Sequence, residues 1–239
     1  MRARSFETVA AEYERHRPDY PEEAVGWAVE VLGLAERARV LDLGAGTGKL
    51  TRGLVALGLE TVAVEPGAAM LEELRSAVPE AETLEGSAEA IPLPGASIDA
   101  AFAGQAFHWF DRARALPELQ RVIRPNGGLA ILWNWWDERD PLQRELGELI
   151  GYAGRGPYVE EELPGAPWFH ELGRTIVESE LESGPDSLVG FLSTASNFLT
   201  AEPQEREESL REVYELSLRY GERFALPRLT YVFAFRRVS

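Results

Sequence analysis

Apolar and polar residues follow two distinct patterns along this chain. Short apolar runs predict strands at 39–43, 60–65, 83–85, 97–104, 127–133, 174–181 and 230–237. Apolar residues at helical spacing predict helices at 49–57, 111–122, 185–199 and 202–220. Strands that alternate with helices are typical of an α/β fold, so we predict a doubly wound sheet.

The length and charge of the chain narrow the classes of protein that it can represent. A chain of 239 residues can bury roughly three quarters of its unfolded surface, enough for one α/β core with a cover. The formal net charge of −16 argues against a nucleic-acid partner, because phosphate contacts need an excess of Lys and Arg. The sequence shows no apolar run of ~18 residues and no charged-then-apolar leader. We therefore expect a cytoplasmic protein without a membrane partner, and we predict no particular oligomeric state.

Residues that commonly bind metals are few and scattered. The sequence has no cysteine, which excludes disulfides and thiolate metal sites. Its three histidines, His16, His108 and His170, lack the spacing of metal ligands. We therefore predict no metal site.

Three alternating glycines follow the first predicted strand and precede a predicted helix. The first of them, Gly44, stands two residues after Asp42. A phosphate-binding P-loop needs four residues between its first glycine and a Gly-Lys-Ser/Thr group, whereas three residues separate Gly44 from Gly48. A dinucleotide fingerprint would need a glycine in place of Lys49 and does not call for the acid at position 42. The spacing therefore disfavours the P-loop strongly and the dinucleotide loop more weakly.

The remaining pattern, Asp-x-Gly-x-Gly-x-Gly, resembles the first motif of the class I S-adenosylmethionine-dependent methyltransferases. The resemblance implies S-adenosylmethionine as cofactor and a Rossmann-like sheet of seven strands, mostly parallel, with an antiparallel last strand and a helical cover. We expect a single domain over 1–239, with lid helices at 1–35 and the cofactor-binding core at 36–136. Substrate-covering helices, a loop and the sixth strand would occupy 137–229, and the last strand 230–239.

The same resemblance assigns cofactor-binding residues around the glycine loop. Asp42 would meet the ammonium group of the cofactor, and Glu65, at the end of the second strand, would accept from both ribose hydroxyls. Met70 either packs on the adenine or belongs to the core. The loop and the residue after Glu65 complete this set: Gly44, Ala45, Gly46, Thr47, Gly48 and Pro66.

A second segment, 86–92, resembles the adenine loop of the family. Ser87 and Ala88 would meet the base through a side chain and through backbone amides. The family often has an acid at the position of Ser87, so Glu89 either replaces that acid or simply ends a helix.

Residues 104–111 resemble the Gln-x-Phe-His-Trp-Phe segment of a small-molecule subgroup that includes trans-aconitate methyltransferase-like (type 11) enzymes. The resemblance implies that the backbone of Gly104, Gln105 and Ala106 borders the methionine part of the cofactor. His108 is then a candidate base or substrate-orienting donor, with a purely structural role as the alternative.

Residues 10–21 resemble the Tyr-x-x-x-Arg-Pro-x-Tyr-Pro opening of the same subgroup, a segment that folds over the cofactor as a lid. Tyr13 and Arg17 would reach the cofactor carboxylate, Arg17 through a charge-assisted hydrogen bond. The alternative for Arg17 is a pair with a nearby surface acid.

Large aromatic residues collect after the fourth and fifth predicted strands, where ligands bind in open α/β sheets. Trp109, Trp133, Trp135 and Trp136 would form an apolar pocket around the sulfonium, although any one of them could pack the cover instead. We expect a loop over 151–170 at the mouth of the pocket. Further candidates for its wall are Phe191, Ser196, Asn197 and Phe198, and candidates for receiving a substrate carboxylate are Arg139, Arg144 and Arg155.

These features predict an enzyme that transfers the sulfonium methyl of S-adenosylmethionine to an oxygen, nitrogen or carbon nucleophile of a small molecule by in-line displacement. Positioning and desolvation would supply most of the catalysis. The alternatives are a non-catalytic S-adenosylmethionine-binding regulatory protein and, less favoured, a nicotinamide-dependent oxidoreductase. The sequence does not identify the methyl acceptor.

Overall fold

A computed structural model of the chain describes residues 9–154, 156 and 163–238. Its strands are β1 (Arg39–Leu43), β2 (Glu60–Glu65), β3 (Glu82–Glu85), β4 (Ile98–Gly104), β5 (Ile123–Trp136), β6 (Phe169–Ser183) and β7 (Phe224–Arg237). Its helices are α1 (Ala10–His16), α2 (Glu22–Leu32), α3 (Lys49–Ala56), α4 (Ala68–Ala77), α5 (Arg112–Val122), α6 (Pro141–Leu149), α7 (Pro185–Ser193), α8 (Ser196–Thr200) and α9 (Pro203–Leu218). A short 3₁₀ turn, Phe107–Trp109, follows β4.

The strands form one seven-stranded sheet in the order β3-β2-β1-β4-β5-β7-β6. Every pair among β1 to β5 is parallel, whereas β7 runs antiparallel to both β5 and β6. The strand order reverses between β1 and β4, which is the point where such sheets bind ligands. The predicted doubly wound sheet with an antiparallel last strand is confirmed.

The central strands are apolar on both faces because helices cover both sides of the sheet. Val40 of β1 packs into the cluster that contains apolar residues of α2 and α3. Its neighbour Leu41 points to the opposite face and joins the cluster that includes α5. The alternation within β1 therefore joins the two halves of the core through the strand that carries the glycine loop.

The last two strands are longer than their apolar runs predict. β6 begins at Phe169 and β7 at Phe224, so His170 lies in a strand and the residues before Thr230 belong to the sheet rather than to the cover. The pairing of Ser183 with Phe224 extends the ladder beyond the core, where polar residues are exposed and the apolar signal fades.

The predicted helix at 185–199 is divided into α7 and α8. The break falls at Ala195, whose backbone is extended with ψ of 146°. Within the described ranges, no helix combines the length and apolar character needed to cross a membrane.

Candidate active site

A cavity of about 730 Å³ lies at the edge where the parallel strands end. Its walls come from the loop after β1, the ends of β2 and β4, the lid helix α1 and the covering helix α7. The volume is within the range of small-molecule and cofactor sites. The predicted residues that line it are Tyr13, Arg17, Asp42, Gly44, Ala45, Gly46, Glu65, Pro66, Met70, Ser87, Ala88, Glu89, Gly104, Gln105, Ala106, His108, Trp109, Trp135 and Trp136.

The three loop glycines, Gly44, Gly46 and Gly48, all have positive φ but differ in their surroundings. A Cβ on Gly44 would lie 2.8 Å from the Cβ of Ala106, so this glycine allows the loops after β1 and β4 to meet. A Cβ on Gly46, whose φ is +56°, would meet nothing within 4 Å. Gly46 therefore leaves space open beside the cavity.

The carboxylate of Glu65 holds the glycine loop in place. Its Oε2 accepts a hydrogen bond of 2.9 Å from the backbone N–H of Gly46, and its Oε1 accepts one of 2.8 Å from Gly67. Glu65 thus connects the end of β2 to the loop of β1 and to the start of α4. A carboxylate oxygen has two lone pairs and can accept more than one hydrogen bond.

Asp42 is a buried acid with one oxygen unused. Its side chain is 1% exposed, and Oδ2 accepts a hydrogen bond of 2.6 Å from Thr51 Oγ1. Within the described part of the chain, Oδ1 has no hydrogen-bond partner. Burial, with a smaller contribution from the charge of Glu65, raises the pKa of Asp42 to about 7 despite the hydrogen bond from Thr51. An orphaned oxygen of this kind calls for a donor from a ligand.

The end of β4 adopts an unusual backbone. Gln105 has a φ of +52°, a left-handed conformation that is uncommon for a residue other than glycine. The conformation is held by two hydrogen bonds, from Gln105 N to Leu132 O and from Gln105 Nε2 to Asn134 O. A Cβ on the preceding Gly104 would lie 2.6 Å from Tyr20 Oη, so the lid segment packs directly against this backbone. Strain of this kind is concentrated at functional sites.

His108 stands on the 3₁₀ turn after β4 and faces the cavity. Its Nδ1 accepts a hydrogen bond of 3.3 Å from the indole Nε1–H of Trp133. Solvent in the cavity reaches the ring, but the surrounding protein removes enough water to lower the pKa of His108 to about 4. The imidazole is therefore neutral at physiological pH.

The lid is fastened to the helix that starts at the glycine loop. Lys49 Nζ donates a hydrogen bond of 2.6 Å to the backbone oxygen of Glu14 and lies 3.1 Å from its carboxylate. Arg52, one turn further along α3, pairs with Glu14 and Asp19. These contacts hold α1 and the segment after it over the cavity.

Arg17 leads from the lid towards the covering helices. Its Nε donates a hydrogen bond of 2.9 Å to Thr194 Oγ1, and its guanidinium lies 4.5 Å from the ring centroid of Phe191 and 5.2 Å from that of Tyr13. Among the described residues, Arg17 forms no ion pair with a carboxylate. Desolvation lowers the pKa of the guanidinium.

The opposite part of the cavity contains the segment predicted to form the adenine loop. Met70 is buried and lines the cavity, so it belongs both to α4 and to the wall. Glu89 accepts a hydrogen bond of 2.9 Å from the backbone N–H of Asp111, which ties this loop to the start of α5. Ser87 and Ala88 line the cavity beside it.

The covering elements contribute residues that the sequence motifs do not mark. Tyr152 and Arg228 line the cavity and belong to no recognised sequence segment, whereas Tyr20, which also lines it, is part of the lid segment at 10–21. Arg228 would have been found from the alternation of β7 if the strand had been predicted to start at Phe224. The candidates Phe191, Ser196 and Asn197 also line the cavity, and Asn197 Oδ1 is buried without a hydrogen-bond partner in the described structure.

The structure corrects three predicted site residues. Trp133 is 2% exposed and packs edge-to-face on Phe233, so it lies beneath the cavity wall rather than on it. Thr47 is fully buried and Gly48 faces α4, where a Cβ would lie 3.1 Å from Leu74. Thr47 and Gly48 therefore belong to the turn into α3 and do not line the cavity.

Other residues proposed for the acceptor end also lie elsewhere. Phe198 is buried in the cluster of covering helices. Arg139 pairs with Asp137 and Glu178, and Arg144 donates to the backbone oxygen of Glu138, so neither faces the cavity. Arg155 is outside the described residues. Other cationic side chains line the cavity, among them Arg17 and Arg228.

These groups fit S-adenosylmethionine. Asp42 presents an orphaned carboxylate oxygen suited to an ammonium group, and Gly46 leaves space that a side chain would fill. Glu65 presents a carboxylate at the place where nucleotide-binding sheets hold a ribose. Across the described residues, no group of three or more metal-binding side chains could hold an ion.

Comparisons with known proteins agree with this geometry. Residues 41–131 match the family model described as a methyltransferase domain. An uncharacterized methyltransferase of Mycobacterium tuberculosis is 43% identical over 231 residues, which cover 95% of this chain and 93% of that protein. The trans-aconitate 2-methyltransferase of Azoarcus is 37% identical over 146 residues, or 58% of this chain and 56% of that enzyme.

A solved structure leads to the same family. The protein assigned as a type II methyltransferase from Anaeromyxobacter dehalogenans has a TM-score of 0.62 and 33% identity, covering 93% of this chain and 97% of that one. This agreement favours an enzyme over the non-catalytic and nicotinamide-dependent alternatives. The chain therefore belongs to the class I S-adenosylmethionine-dependent methyltransferases.

Proposed function

We propose that this enzyme methylates a small molecule held in the same cavity as S-adenosylmethionine. The observation that carries this proposal is the continuity of the 730 Å³ cavity, which extends from the glycine loop to α7, α8 and the extended end of the β6–β7 pair. Donor and acceptor would thus share one space beneath the lid. A cavity of this size suits a small acceptor better than a macromolecular chain.

The cofactor end is proposed to use four groups. Asp42 Oδ1 would receive the ammonium group, and Glu65 would accept from the ribose hydroxyls while it holds the loop. Met70 would pack against the adenine, and Arg17 would bind the cofactor carboxylate. Each assignment pairs a group of the cofactor with a side chain of opposite charge or matching polarity.

The acceptor end is proposed to lie among the aromatic residues of the cover. Trp135 packs 6.1 Å from Tyr152, and Trp136 packs 6.2 Å from Phe191, measured between ring centroids. These rings would exclude water and orient an apolar part of the acceptor. When bound, S-adenosylmethionine supplies an electrophilic methyl group on a sulfonium, whose positive charge an aromatic face also attracts. The chain itself would contribute orientation and desolvation.

The acceptor class can be tested with fractionated cell extract and the wild-type enzyme. We expect S-adenosylhomocysteine to form from S-adenosylmethionine when the enzyme receives the ultrafiltrate that contains small metabolites. The fraction of retained proteins and nucleic acids should give no product above the enzyme-free control. Product formed only with the retained fraction would contradict a small-molecule acceptor.

Replacing Glu65 with glutamine should weaken binding of S-adenosylmethionine by roughly 10- to 100-fold. The amide keeps the size of the side chain but loses the charge. Its NH₂ group cannot accept a hydrogen bond, so one of the two backbone N–H donors loses its partner. Isothermal titration calorimetry measures the change. Glu85→Gln is the matched control, because Glu85 pairs in register with Glu65, is exposed and does not line the cavity. Equal affinities for the two variants would remove Glu65 from the cofactor site.

Replacing Arg17 with glutamine should also weaken S-adenosylmethionine binding by roughly 10- to 100-fold, because a charge-assisted hydrogen bond to the cofactor carboxylate is lost. The affinity of 5′-deoxy-5′-methylthioadenosine, which lacks the amino-acid part, should be unchanged. Arg37→Gln, which removes an exposed pair with Glu60, is the control. If both ligands weaken equally in Arg17→Gln, the guanidinium does not bind the cofactor carboxylate.

A further inference from the structure

We propose that Trp133 fixes His108 in the neutral tautomer that carries its proton on Nε2, so that His108 donates a hydrogen bond into the cavity and does not act as a base. The inference rests on the proposed function in one respect, because the group that receives this bond would belong to the methyl acceptor. It assigns a positioning role to a tryptophan that does not touch the cavity.

The donor in the Trp133–His108 pair is unambiguous. An indole nitrogen carries a hydrogen and has no lone pair available to accept, so Trp133 Nε1 can only donate. His108 Nδ1, 3.3 Å away, must therefore be the acceptor. A neutral imidazole has one N–H and one bare nitrogen, and a bare Nδ1 leaves the proton on Nε2.

Trp133 is held firmly enough to impose this choice. Its side chain is 2% exposed, and its ring packs edge-to-face on Phe233 at 5.9 Å between centroids. The backbone of Trp133 lies in β5 and pairs with Tyr231 of β7. The indole N–H cannot turn away from His108 without disturbing the packing of two central strands.

The other nitrogen of His108 is directed away from Trp133. His108 lines the cavity, and within the described part of the chain Nε2 has no hydrogen-bond partner. Its ring is also steadied by Trp109, whose ring centroid lies 4.8 Å away. The structure thus presents a fixed N–H donor that no residue in its described part receives.

A general-base role conflicts with this arrangement. Uptake of a proton would occur at Nδ1, where the new N–H would point at the N–H of Trp133. Burial further opposes the cation, since it already lowers the pKa of His108. The group of the acceptor that faces Nε2 should therefore carry a lone pair, as a carbonyl, hydroxyl or carboxylate oxygen does. An ammonium group would be disfavoured there.

Nitrogen NMR of the ligand-free enzyme, labelled with ¹⁵N in histidine, tests the tautomer directly. The chain has three histidines, and the signals of His108 are those that disappear in His108→Gln. At pH 7 we expect Nε2 to show the shift of a protonated nitrogen and Nδ1 that of a bare nitrogen, with little mixing. A proton on Nδ1, or an even mixture of the two forms, would overturn the proposal.

Trp133→Phe should convert this single form into a mixture, because the ring loses the donor that selects it. Trp168→Phe is the matched control, since Trp168 packs on the same core cluster but does not line the cavity or contact His108. An unchanged His108 spectrum in a folded Trp133→Phe protein would show that Trp133 does not set the tautomer. If Trp133→Phe does not fold, the wild-type spectrum still decides the protonation state.

The two proposals fail separately. Calorimetry with S-adenosylmethionine and the extract assay test the cofactor and the acceptor without reference to His108. The NMR experiment uses no ligand, so a wrong tautomer would overturn only the role of His108 and Trp133.

Discussion

Gly46→Arg should abolish measurable binding of S-adenosylmethionine while the protein remains folded. A Cβ at this position meets nothing within 4 Å, so the new side chain would occupy the open space beside the cavity instead of clashing with the core. The affinity should fall at least roughly a hundredfold, equivalent to about 3 kcal/mol. The left-handed φ of +56° should reduce the free energy of unfolding by only about 1–2 kcal/mol.

Gly58→Arg is the control that separates the two effects. Gly58 also has a positive φ, +78°, and also leaves space around its Cβ, but it is exposed in the turn between α3 and β2. Calorimetry and thermal unfolding of both variants should show equal losses of stability and loss of binding in Gly46→Arg alone. Retained affinity in Gly46→Arg would place the cofactor away from the glycine loop.

Asp42 should make cofactor binding depend on pH. Burial raises its pKa to about 7, and an ammonium group binds only the ionised carboxylate strongly. The ionised fraction rises about fivefold between pH 6 and pH 7, so the affinity for S-adenosylmethionine should rise by about the same factor. Asp42→Asn should bind roughly 10- to 100-fold more weakly at pH 7 and show no such rise. Calorimetry across this interval measures both effects.

The same shift predicts an opposite effect on the stability of the free enzyme. The folded-state pKa is raised above the ordinary value of 3.8, so the folded protein binds more protons between about pH 4 and pH 7. The contribution of Asp42 to the free energy of unfolding is therefore most favourable at low pH and declines across this window, by on the order of 4 kcal/mol. Without cofactor, Asp42→Asn should consequently be more stable than the wild type at pH 8.

Asp99→Asn is the control for both measurements. Asp99 lies at the other end of β4, where it accepts from Arg39 N and pairs with Arg124, and it does not line the cavity. This variant should lose stability and keep both the affinity and its pH dependence. A wild-type affinity that does not change from pH 6 to pH 7 would contradict the raised pKa of Asp42.

The sheet and the cofactor end of the cavity were predictable because their signals are local. An apolar run followed by a glycine-rich turn predicts the strand β1 and the helix after it. Glu65 ends the next apolar run along the chain. Parallel strands bring their carboxyl ends to one edge, so Asp42, Glu65 and Gly104 had to meet. These arguments need no knowledge of long-range packing.

The errors arise where tertiary packing decides. Trp133 and Trp135 share one face of β5 because side chains alternate along a strand. Trp133 is nevertheless buried in the core, whereas Trp135 lines the cavity, and the sequence pattern does not distinguish the two. Gly48 has a positive φ like Gly44 and Gly46, and only its contact with α4 reveals a packing role. The proposed acceptor end combines residues of the lid, β7 and the covering helices, which no single segment marks.

The contact between Lys49 and Glu14 can be followed by chemical labelling of the lysine. Lys49 is the sole lysine of the sequence, and its side chain is 13% exposed while the lid holds it. While Nζ is held by Glu14 and Asp19, an amine-specific reagent should acylate it slowly, so the rate of modification measures how often these contacts break. Mass spectrometry of one peptide would thus follow the contacts, and their response to each ligand, in the unaltered protein.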